Sequence, residues 1–111
     1  MRIERELMRG AGPAAVLRLL EPGERYGYEL VKLLDQRSDG VLAMGQSTLY
    51  PLLYNLEAKG LIESRLAEPG PGDHARPRKY YRLTDKGKRR LARDREQWHA
   101  LSAALGKLGV T

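Results

Sequence analysis

The segment from Gln46 to Ile62 constrains the fold most, because a helix over it has two faces of different chemistry. One face is a stripe of leucines at the i, i+3, i+4 and i+7 spacing: Leu49, Leu52, Leu53 and Leu56. The opposite face is small, hydrogen-bonding or aromatic and nearly uncharged: Ser47, Pro51, Tyr54 and Ala58, flanked by Thr48, Tyr50 and Asn55. A surface helix ordinarily carries Lys and Glu there, whereas a helix that enters a DNA groove needs slim hydrogen-bonding side chains. The segment therefore predicts a DNA-reading helix, with a fully buried helix as the alternative.

The elements that follow this helix have the order of a winged helix. Gly60 is a candidate helix C-cap, and Leu61–Ala67 then has the residue types of a strand. A Pro/Gly-rich loop over Pro69–Pro77 leads to a second strand, Lys79–Leu83, which alternates between two faces. A loop of nine residues is too long for a tight hairpin turn, so it predicts a projecting wing.

The positive charge is concentrated on the same region. The chain carries a formal charge of +6, and the segment from Arg65 to Arg90 alone contains nine basic and three acidic residues. Such a field favours an anionic partner. Phosphate contacts position a protein on DNA and base contacts specify the sequence, so a basic wing beside a neutral helix divides the two tasks. Arg76, Arg78 and Lys79 are the candidate phosphate contacts, while Lys86–Arg90 are either further contacts or a solvated helix face.

Composition excludes several other classes of protein. At 111 residues the chain fits one domain with an appended element, and with no Cys it has neither disulfides nor thiolate metal sites. His74 and His99 have no ligand-type residue at a metal-binding spacing, so no metal and no cofactor are expected. No catalytic arrangement stands out, which predicts that the chain is not an enzyme. Without an apolar run of membrane-spanning length or a signal-peptide pattern, we expect a soluble, cytoplasmic protein.

The N-terminal half supplies the scaffold helices. The pattern predicts a short helix over Ile3–Arg9, an interruption at Gly10–Pro13, and a further helix over Ala14–Leu20. Another helix is expected over Tyr28–Asp35, and Val41–Met44 is a candidate third strand of the wing sheet. The order predicts a mainly α fold with a small β-hairpin, a winged helix-turn-helix occupying residues 1–84.

Residues 85–111 predict a long helix that this small domain cannot cover by itself. Thr84 is a good N-cap and Asp85 suits the first turn, where the helix dipole favours an acid. Apolar side chains then follow heptad a and d spacing: Leu91, Trp98, Leu101, Leu105 and Leu108. The far half therefore needs a partner, and the same helix of a second copy would give a homodimer that reads two half-sites. The alternative is a helix that packs back on its own domain. Trp98 is either an anchor of that dimer core or the wall of a cavity for a flat aromatic effector.

With these residues in view, the chain resembles the PadR family of bacterial transcriptional regulators. The resemblance covers about Gly10 to Leu91 and consists of four ordered pieces: Tyr26–Leu30, Thr48–Leu53, Leu56–Ile62, and Arg78–Thr84 with Gly87. It implies a ligand-responsive dimeric repressor whose third helix enters the major groove while the wing contacts the backbone. The single C-terminal helix is similar to the short branch of the family.

The predicted DNA contacts combine the residue patterns with the resemblance. They lie at the start of the second helix, on the reading helix and on the wing: Tyr26, Tyr28, Gln46, Ser47, Thr48, Tyr50, Pro51, Tyr54, Asn55, Lys59, Arg76, Arg78 and Lys79. The expected partner is double-stranded DNA with a two-fold-symmetric operator. The alternative is a winged-helix module that binds a protein or RNA partner. Tyr80 is the only obvious stacking candidate for single-stranded RNA, which favours duplex DNA.

Overall fold

The protein is described by a computed structural model over residues 1–68 and 77–111. Over these residues it has four helices and three strands: α1 (Arg5–Leu19), β1 (Arg25–Tyr26), α2 (Gly27–Arg37), α3 (Gln46–Ala58), β2 (Ile62–Ala67), β3 (Arg78–Leu83) and α4 (Asp85–Lys107). From α3 onward the elements follow the predicted order. The mainly α fold with a small antiparallel sheet is thus confirmed. Most of the predicted wing loop, with His74 and Arg76, lies outside the described residues.

Helix α3 is held by the leucine stripe. Leu49, Leu53 and Leu56 are buried, whereas Leu52 is only partly buried at the edge of the core. The helix ends at Ala58 with Lys59 as its C-cap, and Gly60 follows with a φ of +74°, which suits glycine. The Leu61 N–H donates to the Leu56 carbonyl at 3.0 Å. This reversal sends the chain directly into β2, so the core face of α3 and the inner face of the sheet share one apolar interior.

The sheet has the order β1–β3–β2, and all neighbours are antiparallel. Strand β3 is central: Tyr80 lies opposite Tyr26 of β1 and Arg65 of β2. Tyr81 and Leu83 point inward and are buried, which matches the predicted alternation. Burial raises the pKa of the Tyr81 hydroxyl, as do the neighbouring Tyr50 and Glu57.

The expectation that Val41–Met44 would form the third strand was wrong. The chain turns there instead: Asp39 and Gly40 have φ values of +52° and +81°, and the Val41 N–H donates to the Ser38 carbonyl at 3.0 Å. These local bonds and the positive φ values bend the backbone away from the sheet. Met44 reaches the core as a buried side chain, and the third strand is the two-residue β1.

The predicted break at Gly10–Pro13 was also wrong, because α1 continues through Pro13. Proline removes the amide that would bond the Arg9 carbonyl, which disfavours a helix interior. Tertiary packing outweighs this local effect: Val16 and Leu17 are fully buried, and a Cβ on Gly12 would lie 3.3 Å from Leu52 Cδ1 of α3. The apolar face of α1 thus extends beyond the proline on both sides.

Helix α4 begins in the core and then leaves it. The Thr84 hydroxyl accepts a hydrogen bond from the Gly87 N–H at 3.0 Å, which confirms the predicted N-cap. Leu91 is 3 % exposed and belongs to the core of its own chain. Its assignment to the dimer contact is therefore corrected, because the first turns of α4 pack against α1 and β3. Farther along, Trp98, Leu101 and Leu108 are exposed.

Candidate nucleic-acid interface

The predicted reading residues of α3 share one exposed surface. Tyr54 is 74 % exposed, and the other solvent-facing members lie beside it on the same helix: Gln46, Ser47, Thr48, Pro51, Asn55 and Lys59. Their positions follow from the stripe, since burying one face of a helix presents the opposite face to solvent. The helix is thus one wall of the core on one side and a neutral, hydrogen-bonding surface on the other. The buried-helix alternative does not hold.

Tyr50 lies between the core and the exposed face. Its side chain is 42 % exposed, and its ring rests on the first residue of α2. A Cβ on Gly27 would lie 2.8 Å from Tyr50 Oη and 2.9 Å from its Cε1. Gly27 therefore permits α2 and α3 to approach closely. The sequence alone indicated that a glycine was needed here but not that the contact was with Tyr50.

Pro51 changes the hydrogen bonding of the exposed face. Proline lacks an N–H, so the Ser47 carbonyl has no helical donor four residues later. Ser47 and Pro51 are both exposed, and α3 remains helical through them. The hydrogen-bonding groups of the reading surface are the Ser47 and Thr48 hydroxyls, the Asn55 amide and the Tyr54 phenol.

The two described basic residues of the wing are supported by different rings. The Arg78 guanidinium carbon lies 4.7 Å from the centroid of the Tyr26 ring on β1. Lys79 Nζ lies 5.7 Å from the ring of Tyr81, whose side chain is buried on the inner face. Adjacent strand residues point to opposite sides of a sheet, so Arg78 belongs to the outer face and Lys79 to the inner edge. Both are candidate phosphate contacts, but their side chains extend from opposite faces of the sheet.

An aromatic pair crosses the outer face of the sheet. The rings of Tyr26 and Tyr80 meet edge to face, with centroids 5.8 Å apart and planes inclined by 71°. The Arg65 guanidinium carbon lies 5.1 Å from the Tyr80 centroid, and this arginine also forms a bidentate ion pair with Glu24. The ion pair lowers the pKa of Glu24 and raises that of Arg65, mainly through their hydrogen bonds.

Ion pairs redistribute the charge that the sequence placed on this region. Arg65, Arg82 and Arg90 pair with Glu24, Glu63 and Asp94. All three acids lie outside the Arg65–Arg90 segment, so counting charges within it overstates the free positive charge. In the described parts of the chain, Arg78 and Lys79 form no ion pair. Among the described residues, the wing cations without a carboxylate partner are thus those at the start of β3.

A cleft of about 640 Å³ lies between α1 and residues of the exposed face of α3. Ser47, Thr48, Asn55 and Lys59 form one wall, and α1 contributes Arg5 and Arg9 to the wall across it. The reading helix thus has two basic residues of α1 beside it, across the cleft. Sequence patterns did not single out the two α1 arginines, since their relation to α3 exists only in the tertiary structure.

The remaining predicted site residues occupy separate surfaces. Tyr28 is 47 % exposed at the start of α2, with Lys32 Nζ 5.0 Å from its ring centroid. Trp98 is 40 % exposed and touches α1, where a Cβ on Gly10 would lie 3.8 Å from Trp98 Cζ2. Leu105 is partly buried. Residues 1–68 and 77–111 hold no group of three metal-ligating side chains and no helix long and apolar enough to cross a membrane.

An exposed neutral helix beside a basic hairpin defines the winged helix-turn-helix class of DNA-binding protein. Residues 16–93 match the transcriptional regulator PadR-like family. A PadR family transcriptional regulator from Eggerthella lenta is 40 % identical with a TM-score of 0.79, covering 96 % of this chain and 88 % of that one. A transcriptional regulator from Clostridium thermocellum is 29 % identical with a TM-score of 0.80, covering 92 % and 96 %.

Bacillus subtilis PadR in complex with operator DNA is a further similar structure. It is 31 % identical with a TM-score of 0.64, over 72 % of this chain and 44 % of that chain. The chain belongs to the PadR-like family of transcriptional regulators. It is thus a DNA-binding regulator and not an enzyme, in agreement with the sequence prediction.

Proposed function

We propose that the chain is a homodimeric repressor that reads a two-fold-symmetric operator and releases it when a small aromatic effector binds. The observation that carries the proposal is the exposed, uncharged face of α3, with Tyr54 74 % exposed at its centre. This face has donors and acceptors for base edges and no charge that would dominate their recognition. The Bacillus subtilis relative, whose structure contains operator DNA, supports the same use of the fold.

The proposed division of labour follows the chain. Residues 1–84 form the DNA-binding domain, in which α3 specifies sequence and the wing positions the protein through phosphate contacts. Residues 85–111 form the dimerisation helix, and the protein acts in the cytoplasm.

The dimer is supported by the far half of α4. The helix has 23 residues, about 34 Å at the usual rise, and only Gly87 and Leu91 in it are buried. Leu101 is 45 % exposed and Leu108 78 % exposed, on a helix that the rest of the chain leaves uncovered there. Trp98 lies where this uncovered stripe begins. An apolar stripe of this kind is stabilised by a second copy of the same helix.

Duplex DNA is favoured over single-stranded RNA by the contacts that the aromatic rings of the sheet make within the chain. An RNA-binding sheet presents the open faces of its aromatic rings to bases. Here Tyr80 is partly buried, meets Tyr26 edge to face, and has Arg65 over its ring. Tyr80 is thus engaged by Arg65 and Tyr26 within the chain, which disfavours it as a stacking platform for bases.

The DNA-binding proposal is tested by selecting bound fragments from the host genome. We expect a preference for a two-fold-symmetric fragment over a scrambled duplex of equal length. Tyr54→Ala and Thr48→Ala should change which bases are preferred, because their side chains lie on the reading face. Equal binding to scrambled DNA would contradict sequence-specific regulation, and unchanged base preference would contradict the assignment of this face.

The wing proposal has a different signature. Arg78→Ala or Lys79→Ala should weaken binding to all sequences alike and reduce the slope of log affinity against log salt by about one per lost phosphate contact. Arg82→Ala is the matched control, because Arg82 is already paired with Glu63. A slope that stays the same in both wing variants would rule out their phosphate contacts.

The dimer and the effector are tested separately. Leu101→Glu should convert the dimer to monomer in sedimentation, because a charge would enter the apolar contact. Ser102→Glu, at the exposed neighbouring position, should leave the dimer intact. Equal dissociation of the two glutamate variants would refute this contact.

Aromatic effectors should quench Trp98 fluorescence and release the operator. Unchanged fluorescence across a broad aromatic panel would refute the Trp98 site.

A further inference from the structure

We propose that Tyr26 is a positioning residue that holds the Arg78 guanidinium in place for a DNA phosphate, and that Tyr26 does not itself contact DNA. The inference rests on the proposed phosphate contact of the wing and assigns the residue that prepares it. It connects two pieces of sequence that lie 52 residues apart, the start of α2 and the start of β3.

Tyr26 is fixed from three directions. Its backbone pairs with Tyr80 in the β1–β3 ladder, and its ring meets the Tyr80 ring edge to face at 5.8 Å. Its N–H donates to Glu29 Oε1 at 3.4 Å, and the preceding Arg25 bonds both Glu29 and the Leu19 carbonyl. A ring held in this way is a rigid support, whereas a lone surface tyrosine would move with its own side chain.

The geometry of stacking explains why the support does not block the contact. A guanidinium group is planar, and its N–H donors lie in the plane. With the guanidinium carbon 4.7 Å from the Tyr26 centroid, the ring can occupy one flat side of the group while in-plane donors stay open to a phosphate. Arg78 is exposed and has no ion pair in the described residues, so no carboxylate there competes for those donors.

The alternative for Tyr26, a direct DNA contact through its hydroxyl, is less well supported by its surroundings. The side chain is partly buried, and Arg78 and Tyr80 both lie against its ring. Tyr28, two residues later, is exposed, and the cation over its ring is Lys32 of its own helix. The two tyrosines of this piece of sequence therefore have different roles, and within the described residues Tyr26 is the one in contact with the wing.

The test measures affinity for a labelled duplex of random sequence at several salt concentrations, because a phosphate contact is independent of sequence. Tyr26→Phe keeps the ring and should bind as the unmodified protein does. Tyr26→Leu should weaken binding about two- to fivefold, the size of an exposed cation–π contact. In an Arg78→Ala background, Tyr26→Leu should have no further effect. Thermal unfolding of every variant establishes that the fold is retained.

Each other result overturns the inference. Equal losses for Tyr26→Phe and Tyr26→Leu would show that the hydroxyl contacts DNA directly. The same loss from Tyr26→Leu with and without Arg78 would show a general effect on the sheet. Tighter binding by Tyr26→Leu would show that the ring withholds Arg78 from DNA. Failure of operator selection would refute only the proposed regulation, since the random duplex tests this contact independently.

Discussion

Gly87 is the position where one added methyl group should disturb the fold most directly. It lies in the first turn of α4, and a Cβ there would be 2.0 Å from the Leu61 carbonyl oxygen and 3.1 Å from Leu83 Cδ2. The first distance is about 1 Å shorter than Cβ contacts found in proteins. The obstacle is backbone, so a change of rotamer cannot relieve it. Gly87→Ala must therefore move the start of α4 away from Leu61, the residue just before β2.

The expected loss follows from what that movement breaks. The Leu61 carbonyl also accepts the Thr84 N–H at 3.2 Å, a hydrogen bond whose loss costs about 1 kcal/mol. Overpacking of the contact costs about 1–3 kcal/mol more. Alanine recovers up to about 1 kcal/mol through its higher helix propensity. We expect a net decrease of roughly 2 kcal/mol in the free energy of unfolding, which lowers the Tm by about 10 °C in a domain of this size.

The assay is thermal and urea unfolding followed by circular dichroism at matched protein concentration, because dimerisation makes the Tm depend on concentration. Gly106→Ala is the control in the same helix. Its Cβ would lie 3.5 Å from Thr111 Oγ1, an ordinary contact, so helix propensity should leave stability unchanged or raise it by up to about 1 kcal/mol. If Gly87→Ala unfolds at or above the Tm of the unmodified protein, α4 does not approach Leu61 in this way.

Two further predictions concern stability. Leu53→Ala should lower the free energy of unfolding by about 2–5 kcal/mol, because Leu53 is 1 % exposed. Tyr54→Ala, on the exposed face, should change it by less than about 0.5 kcal/mol. Similar urea midpoints for the two variants would contradict the orientation of α3. Arg95 holds the pKa of Glu21 below its usual 4.5, so their ion pair stabilises the fold above the unfolded pKa and is lost as pH falls through the lower folded value. The part of the acid decline in Tm that this exposed pair contributes should begin only below about pH 5, and Glu21→Gln should remove that part; an unaltered acid profile would exclude the pair as a source.

The sequence could predict features that depend on periodicity and local chemistry. The leucine stripe gave the orientation of α3, because a helix repeats its faces along the chain whatever surrounds it. Thr84 gave the start of α4, since an N-cap acts within three residues. The alternation of β3 was equally local. These are short-range rules, and each of them held.

The errors arose where local preference and tertiary packing disagree. Pro13 disfavours a helix interior, yet burial along α1 keeps the helix continuous. Val41–Met44 has strand-type residues, but the positive φ values before it turn the chain into the core. Leu91 has the same heptad spacing as the exposed leucines that follow it. Leu91 is buried because the turn of α4 that contains it packs against α1 and β3, which the spacing alone does not indicate.

The sequence by itself determined the neutral outer face of α3, the order of the elements from α3 to α4 and the basic character of the wing, because these follow from residue types at short spacings. The tertiary structure decided which charges remain free and which side chains support them. Arg65 meets Glu24 from 41 residues away, and Arg78 meets Tyr26 across a sheet. Such contacts depend on how the elements are assembled, and no period along the chain encodes them. The reading helix could therefore be predicted from the sequence, whereas the contacts that support the wing arginines could be found only in the tertiary structure.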